Sequence, residues 1–405
     1  MRIVFLTANP FPSYSGGMEN WLYHVLRVLN DETDIEATVV SPQSDAEPFY
    51  DLTPFERVSL ARTREIGKRR VKQGFLRGPL TVFRLVTTAF NYALWANDCR
   101  RVLKRCSGRD DVIVVVQSIP GMIPVVLLKS LMCRRRVVCS MRGRIGYDLK
   151  VLGHSRLARL YIKLERFVLR YADVIHSNGE DTALYVAQEL GRGSTVVPNG
   201  VQSEVFANSR PLDEANEKLE ELEQIRRSGM KIVMTVASLR DIKGIRFLIE
   251  AASHMKAAGK PGFRVVFVGK GDQEPYRRYA AELGVDDLVV FTGEQKQVSS
   301  FLQFADVAVA ISGGGGVSNA VVEMMAAKKP VVAWDSSTYS QIVTHGKSGY
   351  LVPEHDSKAL AEGITRLLQD EDYASALAAA ARDTAAHYDW RNVVPRFLEL
   401  VTSRQ

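Results

Sequence analysis

The sequence predicts an α/β protein built from two doubly wound domains. Three observations lead there. Short runs rich in Val and Ile alternate with longer helix-like patterns, the rhythm of parallel sheets covered by helices on both faces. The alternation occurs twice, and the two halves are separated by PLDEANEKLEELEQIRRSG (Pro211 to Gly229), a charged stretch without strand character. The chain has 405 residues, enough for two domains of ordinary size.

In the first half the strand-like runs are RIVFLTA, EATVVSP, DVIVVVQS, RRVVCSM, DVIHSN and STVVPNG. Helical patterns cover Met18 to Leu29, Thr81 to Cys106 and Arg156 to Tyr171. The second half supplies KIVMTVAS, RVVFVGKG, LVVFTG, DVAVAIS, PVVAWD and GYLVP. Each run is short, apolar and bounded by polar residues, Gly or Pro, as suits a strand buried on both faces. Folds of this kind bind ligands beyond the carboxyl ends of their strands, and two facing domains leave a cleft between them.

The composition is that of a soluble globular protein. The opening, MRIVFLTANPFPSYSGG, has too short an apolar run for a signal peptide and reads as a first strand. The longest later apolar stretch, PGMIPVVLLKSLMC, is interrupted by Lys129, short of the roughly 20 residues that span a bilayer. Cys99, Cys106, Cys133 and Cys139 lack tight metal spacing, which points to reduced thiols in a cytoplasmic protein. No Asp-x-Asp pair stands out and the His residues are scattered, so no catalytic metal is expected.

The net charge of +7 hides an asymmetry. Residues 62–170 hold 25 Lys/Arg against 6 Asp/Glu, a net of +19, whereas the remainder holds 28 against 40, a net of −12. Phe75, Phe83, Phe90, Tyr92 and Trp95 are interleaved with these cations. The block reads as a solvated basic face or as a surface for an anionic membrane. No nucleic-acid-binding motif accompanies it, so nucleic acid is not the expected partner.

The most informative segment is ISGGGGVSNAVVEMMAAKKP, Ile311 to Pro330. An apolar strand leads into four glycines, then Ser318, Asn319 and a helix carrying Glu323. A glycine loop at a helix start exposes backbone N–H groups to an anion, and the helix adds partial positive charge. Other glycines and cations follow other strands: Gly16-Gly17 after the first, Ser238, Arg240 and Lys243 after KIVMTVA, and Gly269 after RVVFV. Collected at the same ends of the sheets, they suit a diphosphate.

On these motifs the chain resembles glycosyltransferase family 4, whose fold is GT-B. SYSGGMEN resembles the family's N-terminal GG-x-E signature, and VPNGVQSEVF the close of its first domain. VASLRDIKGIRFLIEAA resembles its phosphate-binding loop, and GVSNAVVEMMAAKKPVVAWD the segment that holds the second Glu of its E-x7-E motif. VGKGDQ, VVFTGE, ADVAVAIS, SGYLVP and Trp390 follow in the family's order. The resemblance implies two Rossmann-like domains facing across a cleft: residues 1–203 for the acceptor and 204–387 for the nucleotide sugar. A helix over about 388–405 would pack back on the first.

The implied reaction moves a sugar from a UDP- or GDP-linked donor to a glycan or glycolipid hydroxyl, with retention and without metal or cofactor. The resemblance gives Lys243, Arg240 and Arg142 catalytic positions. It assigns the donor to Gly16, Gly17, Ser238, Gly269, Glu294, Gly316, Val317, Ser318, Asn319 and Glu323. Lys243 would neutralise the departing diphosphate, Glu323 would bind the ribose, and the loop around Glu294 would meet the base. Glu19 and Glu180 are acceptor-side candidates that ordinary helix-start roles would also explain. The expected setting is the cytoplasmic face of the cell membrane, in surface-polysaccharide, lipopolysaccharide or glycolipid assembly. The chain departs from the family at Gly315, where the first Glu of E-x7-E usually stands. Ser238 stands where an Arg is usual, and Ser337-Thr338 and Ser340-Gln341 replace a Gly-Gly and a Pro-Glu. The lost Glu leaves a second reading, an inert scaffold or partner subunit of the same fold.

Overall fold

The computed structural model describes residues 1–13, 17–45, 47–48, 50–63, 94–104, 111–127, 135–151, 153–207, 216–259, 262–313 and 318–403. These group into two compact units, Met1–Val197 with Val394–Gln405, and Pro198–Val393.

The first unit is a seven-stranded sheet in the order β3-β2-β1-β4-β5-β6-β7. Its strands are β1 (Arg2–Thr7), β2 (Glu36–Pro42), β3 (Val58–Thr63), β4 (Val112–Val116), β5 (Val137–Met141), β6 (Val174–Ser177) and β7 (Thr195–Val196). Every pairing is parallel. The central strands β4 and β5 are buried along their whole length, which explains their unbroken apolar sequence. The order reverses between β1 and β4, where β1 continues to β2 on one side while β4 pairs on the other. The helix Trp390–Thr402 contributes Phe397 to this unit, edge-on to Trp21 at 5.0 Å, and both side chains are fully buried.

The second unit is a six-stranded parallel sheet in the order β10-β9-β8-β11-β12-β13. Its strands are β8 (Lys231–Val236), β9 (Phe263–Val268), β10 (Val289–Gly293), β11 (Val307–Ala310), β12 (Val331–Trp334) and β13 (Tyr350–Val352). Here the order reverses between β8 and β11. The helices on this unit carry legible caps. Asn216 accepts from the backbone N–H of Lys218 and Leu219 at the start of Glu217–Arg227, and Asp356 does the same for Lys358 and Ala359 at Ser357–Gln369. The charged stretch separating the two sequence halves thus contains a helix, with Leu219 and Leu222 as its buried contacts.

Candidate active site

In a doubly wound sheet the connections on either side of the reversal leave on opposite faces and open a crevice at the carboxyl ends of the strands. In the second unit that position lies beyond β8 and β11. The chain leaves β8 through Ser238 and Arg240, forms a tight turn over Asp241–Lys243, and enters the helix Ile245–Ala257 at Gly244. Gly244 has a φ of +72°, and a Cβ there would lie 2.3 Å from the Ile311 carbonyl oxygen. Only glycine lets the two loops approach so closely. Backbone bonds bind the strand-end loops together: Leu239 N–H donates to Lys270 O at 2.8 Å, Gly269 N–H to Gly293 O at 2.9 Å, and Gly313 N–H to Ile242 O at 2.8 Å.

This lacing fixes the side chains. Lys243 Nζ donates to Ser312 Oγ at 2.9 Å, joining the loop after β8 to the loop after β11. The Ser312 N–H donates to the hydroxyl of the buried Tyr339 at 2.7 Å. Arg240 Nε donates to Ser238 Oγ at 3.1 Å. Ser318 is the N-cap residue of the helix Asn319–Ala326, and Asn319 Oδ1 accepts from Asn199 Nδ2 at 2.6 Å. Glu323 lies on the same helix. Part of its surface stays open, but burial of the carboxyl pushes its pKa up to about 7. Glu294, in the loop after β10, pairs with Lys270 at 3.2 Å. The structure therefore brings Ser238, Arg240, Lys243, Gly269, Glu294, Ser318, Asn319 and Glu323 to the carboxyl side of one sheet or to the helix that follows β11. Gly16, Gly316 and Val317, like Gly315, lie outside the described residues.

In the first unit a second group forms at the carboxyl ends of β1, β5 and β6. Gly17 begins the helix Gly17–Glu32, on which Glu19 and Trp21 are buried. Asn9, just past β1, donates from Nδ2 to Glu19 Oε1 at 2.5 Å. The Arg142 guanidinium lies 4.2 Å from the centre of the Trp21 ring, a cation–π contact. Burial lowers the Arg142 pKa to about 9 and the Glu19 carboxylate opposes the fall, so the side chain stays charged at neutral pH. His176 stacks on Trp21 at 6.0 Å, and its Nε2 donates to Val197 O at 2.8 Å. Its Nδ1 lies 2.9 Å from Ser140 Oγ and accepts from that hydroxyl. Burial first, and Arg142 second, lower its pKa to about 3, so the imidazole is neutral. Glu180 stands exposed in the first turn of Glu180–Leu190, beside Asp181, which is buried against Arg144 at 3.4 Å.

Several members of these groups escape a reading of the sequence. Asn9, Ser140, His176, Ser312 and Tyr339 acquire meaning only through partners distant in the chain. Gln117, at the end of β4, has a φ of 107°, a conformation that non-glycine residues rarely adopt. It stands at the reversal of the first sheet, and its sequence neighbours give no sign of it. The chain does hold one Asp-x-Asp triplet, Asp370-Glu371-Asp372. Asp370 caps the helix Glu371–Ala386 by accepting from Tyr373 N–H at 3.0 Å. Among the described residues no three His, Cys, Asp or Glu side chains gather into a metal-holding group, and no helix is long and apolar enough to cross a membrane.

Two parallel doubly wound units with glycine-laced strand ends define a GT-B protein, and solved structures agree. Anabaena HepE in complex with UDP superposes with a TM-score of 0.74 at 18% identity, covering 100% of both chains. Sucrose-phosphate synthase from Thermosynechococcus elongatus gives 0.77 at 17% identity, covering 98% of both. Two family models match in succession, Glycosyltransferase Family 4 over residues 15–205 and Glycosyl transferases group 1 over residues 217–384. The chain belongs to the family 4 glycosyltransferases.

Among curated relatives, Bacillus subtilis has "Putative glycosyltransferase EpsD", 30% identical over 60% of this chain and 64% of that protein. The phosphatidyl-myo-inositol mannosyltransferase of Mycolicibacterium smegmatis is 27% identical over 53% of each chain. The chain thus spans between about half and 64% of the length of these relatives.

Proposed function

We propose that the protein transfers a sugar from a nucleoside-diphosphate sugar, bound by the second unit, to an acceptor hydroxyl, with retention at the anomeric carbon. One observation carries this reading: the Lys243 ammonium and Ser312 meet at the reversal of the sheet, on the loop that leads to the helix start at Ser318. Negative charge grows on the leaving diphosphate as the C1–O bond breaks. A fixed ammonium and backbone dipoles aimed at that charge stabilise the transition state more than the ground state. Arg240 is the second cation of this group, and Gly269 and the helix start at Ser318 present backbone to the phosphates. Glu323 accepts from ribose hydroxyls, and the loop at Glu294 meets the base. No protein carboxylate is required as a nucleophile. In a front-side displacement the acceptor oxygen bonds C1 on the face the diphosphate leaves, and the acceptor proton passes to the departing phosphate oxygen.

The acceptor in this proposal is a lipid-linked or surface-polysaccharide intermediate, with Arg142 and Glu19 on the acceptor side and an anionic membrane surface as partner. The mannosyltransferase relative, whose name specifies a phosphatidylinositol, and the basic block over 62–170 support this choice. UDP, the ligand in the HepE structure, is the first nucleotide to test. Incubation with UDP- and GDP-sugars and a lipid-extract acceptor should release nucleoside diphosphate, and NMR of the product should give the donor's anomeric configuration. No consumption of any nucleotide sugar would overturn transfer. Gly315 favours a second reading, an inert scaffold, and binding of the donor without turnover would establish it.

A further inference from the structure

The helix Ser155–Leu169 has three faces. Ala158, Ile162, Glu165, Val168 and Leu169 face inward, and Glu165, the only acid of the helix, accepts from Tyr185 Oη at 2.6 Å. Leu157, Leu160, Leu164 and Phe167 are exposed by 52%, 64%, 45% and 44%. Arg156, Arg159, Lys163, Arg166 and Arg170 are exposed as well. At about 100° per residue the four apolar side chains share a sector roughly 80° wide, and the five cations fill the adjoining sector of about the same width. An unburied apolar stripe of this size on a surface helix is an interaction site rather than scattered exposure.

We propose that this helix lies in the interface of an anionic bilayer, with the Leu157–Phe167 stripe among the acyl chains and the cations against the headgroups. Charge selects this occupant. A second copy docking through the same stripe would set five cations against five, and like charges facing each other are repelled. Nucleic acid would answer the cations but leave four large apolar side chains against phosphates and water. Only a surface that is apolar beneath a negatively charged layer satisfies both sectors at once, the pattern of an interfacial helix. The inference rests on the membrane reading above and narrows the 62–170 block to one element. It is separate from sugar transfer.

The test is co-sedimentation of the full chain with vesicles of phosphatidylcholine and of phosphatidylcholine mixed with phosphatidylglycerol. The expected result is binding to the mixed vesicles alone, weakened by about tenfold or more in Leu160→Ser/Leu164→Ser and in Arg159→Gln/Lys163→Gln. Arg227→Gln, an exposed cation of the second unit outside the 62–170 block, should bind like the parent. These positions are exposed, so the variants should keep the parent's far-UV spectrum. As a second measurement, Leu160→Trp should shift its emission to the blue with the mixed vesicles only. If the parent binds anionic vesicles and all helix variants bind equally, or the Leu160→Trp emission stays unshifted, the helix is not the docking element although the membrane reading survives. Absence of binding by the parent overturns both, and donor turnover then decides the transfer reading independently. Loss of a dimer in Leu160→Ser/Leu164→Ser, without vesicle binding by the parent, would assign the stripe to a second copy.

Discussion

Lys243 reaches across from the loop after β8 to Ser312, in the loop after β11, with Nζ 2.9 Å from Oγ. A cation held there needs little rearrangement when charge develops on a leaving phosphate nearby. Lys243→Ala should therefore lower kcat by about 100-fold, the scale seen when one preorganised donor is removed. KM should change much less. Steady-state kinetics with the best nucleotide sugar check this, and an unaltered kcat would remove Lys243 from the transfer step.

Glu323 gives a pH dependence with a definite sign. Its folded pKa, about 7, stands above the ordinary 4.5, because burial disfavours the carboxylate. The folded state therefore holds this proton more tightly than the unfolded chain. The contribution is fully present below about pH 4.5, declines as the pH rises towards 7, and is gone above it. Glu323→Gln carries no such proton. The Tm of the parent should fall relative to that of Glu323→Gln between those pH values in the absence of ligand. On the proposed ribose role of Glu323, parent affinity for a nucleotide sugar should rise through pH 7 as the carboxylate forms. A parallel Tm profile for the two proteins would refute the buried carboxyl.

Arg144 and Asp181 form an ion pair with side chains only 11% and 1% exposed. The buried Arg144 Nε lacks a hydrogen-bond partner, so the pair is incompletely satisfied. Asp181→Leu leaves the buried Arg144 guanidinium without its carboxylate and should cost about 3–5 kcal/mol, whereas replacing both by apolar groups should cost far less. Denaturant unfolding of Arg144→Met, Asp181→Leu and the double variant tests this. Additive losses would show that the two charges are not coupled.

Gly244→Ala should be more damaging than Gly284→Ala. Both glycines have positive φ, +72° and +65°, but only at Gly244 would the new Cβ meet backbone, at 2.3 Å from Ile311 O. Gly284 faces open space within 4 Å. The conformational cost alone is about 1 kcal/mol, and the clash should add about 1–3 kcal/mol. Because Ile311 adjoins Ser312, Gly244→Ala should also reduce turnover. Equal Tm losses in the two variants would mean that the loops separate without cost.

Much of the architecture was legible because it is local. Among the described residues twelve of the thirteen strands coincide with the apolar runs, and the glycine turns after β8 and β9 stand out because a side chain would not fit their close loop crossings and left-handed backbone. The exception, β3, is Val58–Thr63, VSLART, which pairs in parallel with β2 at the sheet edge. An edge strand with polar positions and a partly exposed Leu60 needs no continuous apolar run and leaves little trace in the sequence.

Propensity and hydrophobic pattern act over a few neighbours, so the two α/β units, the glycine loops and the kinds of residue at the strand ends can be read along the chain. Which loops meet is settled by the packed sheets instead. Strand order placed both reversals, Gln117 beside one and Ser312 beside the other. It brought Asn9 to Glu19, Arg142 to Trp21 and His176, and Lys243 to a serine 69 residues away. Such pairings depend on which strands neighbour one another once the sheet is buried, and burial is a property of the whole chain rather than of any segment.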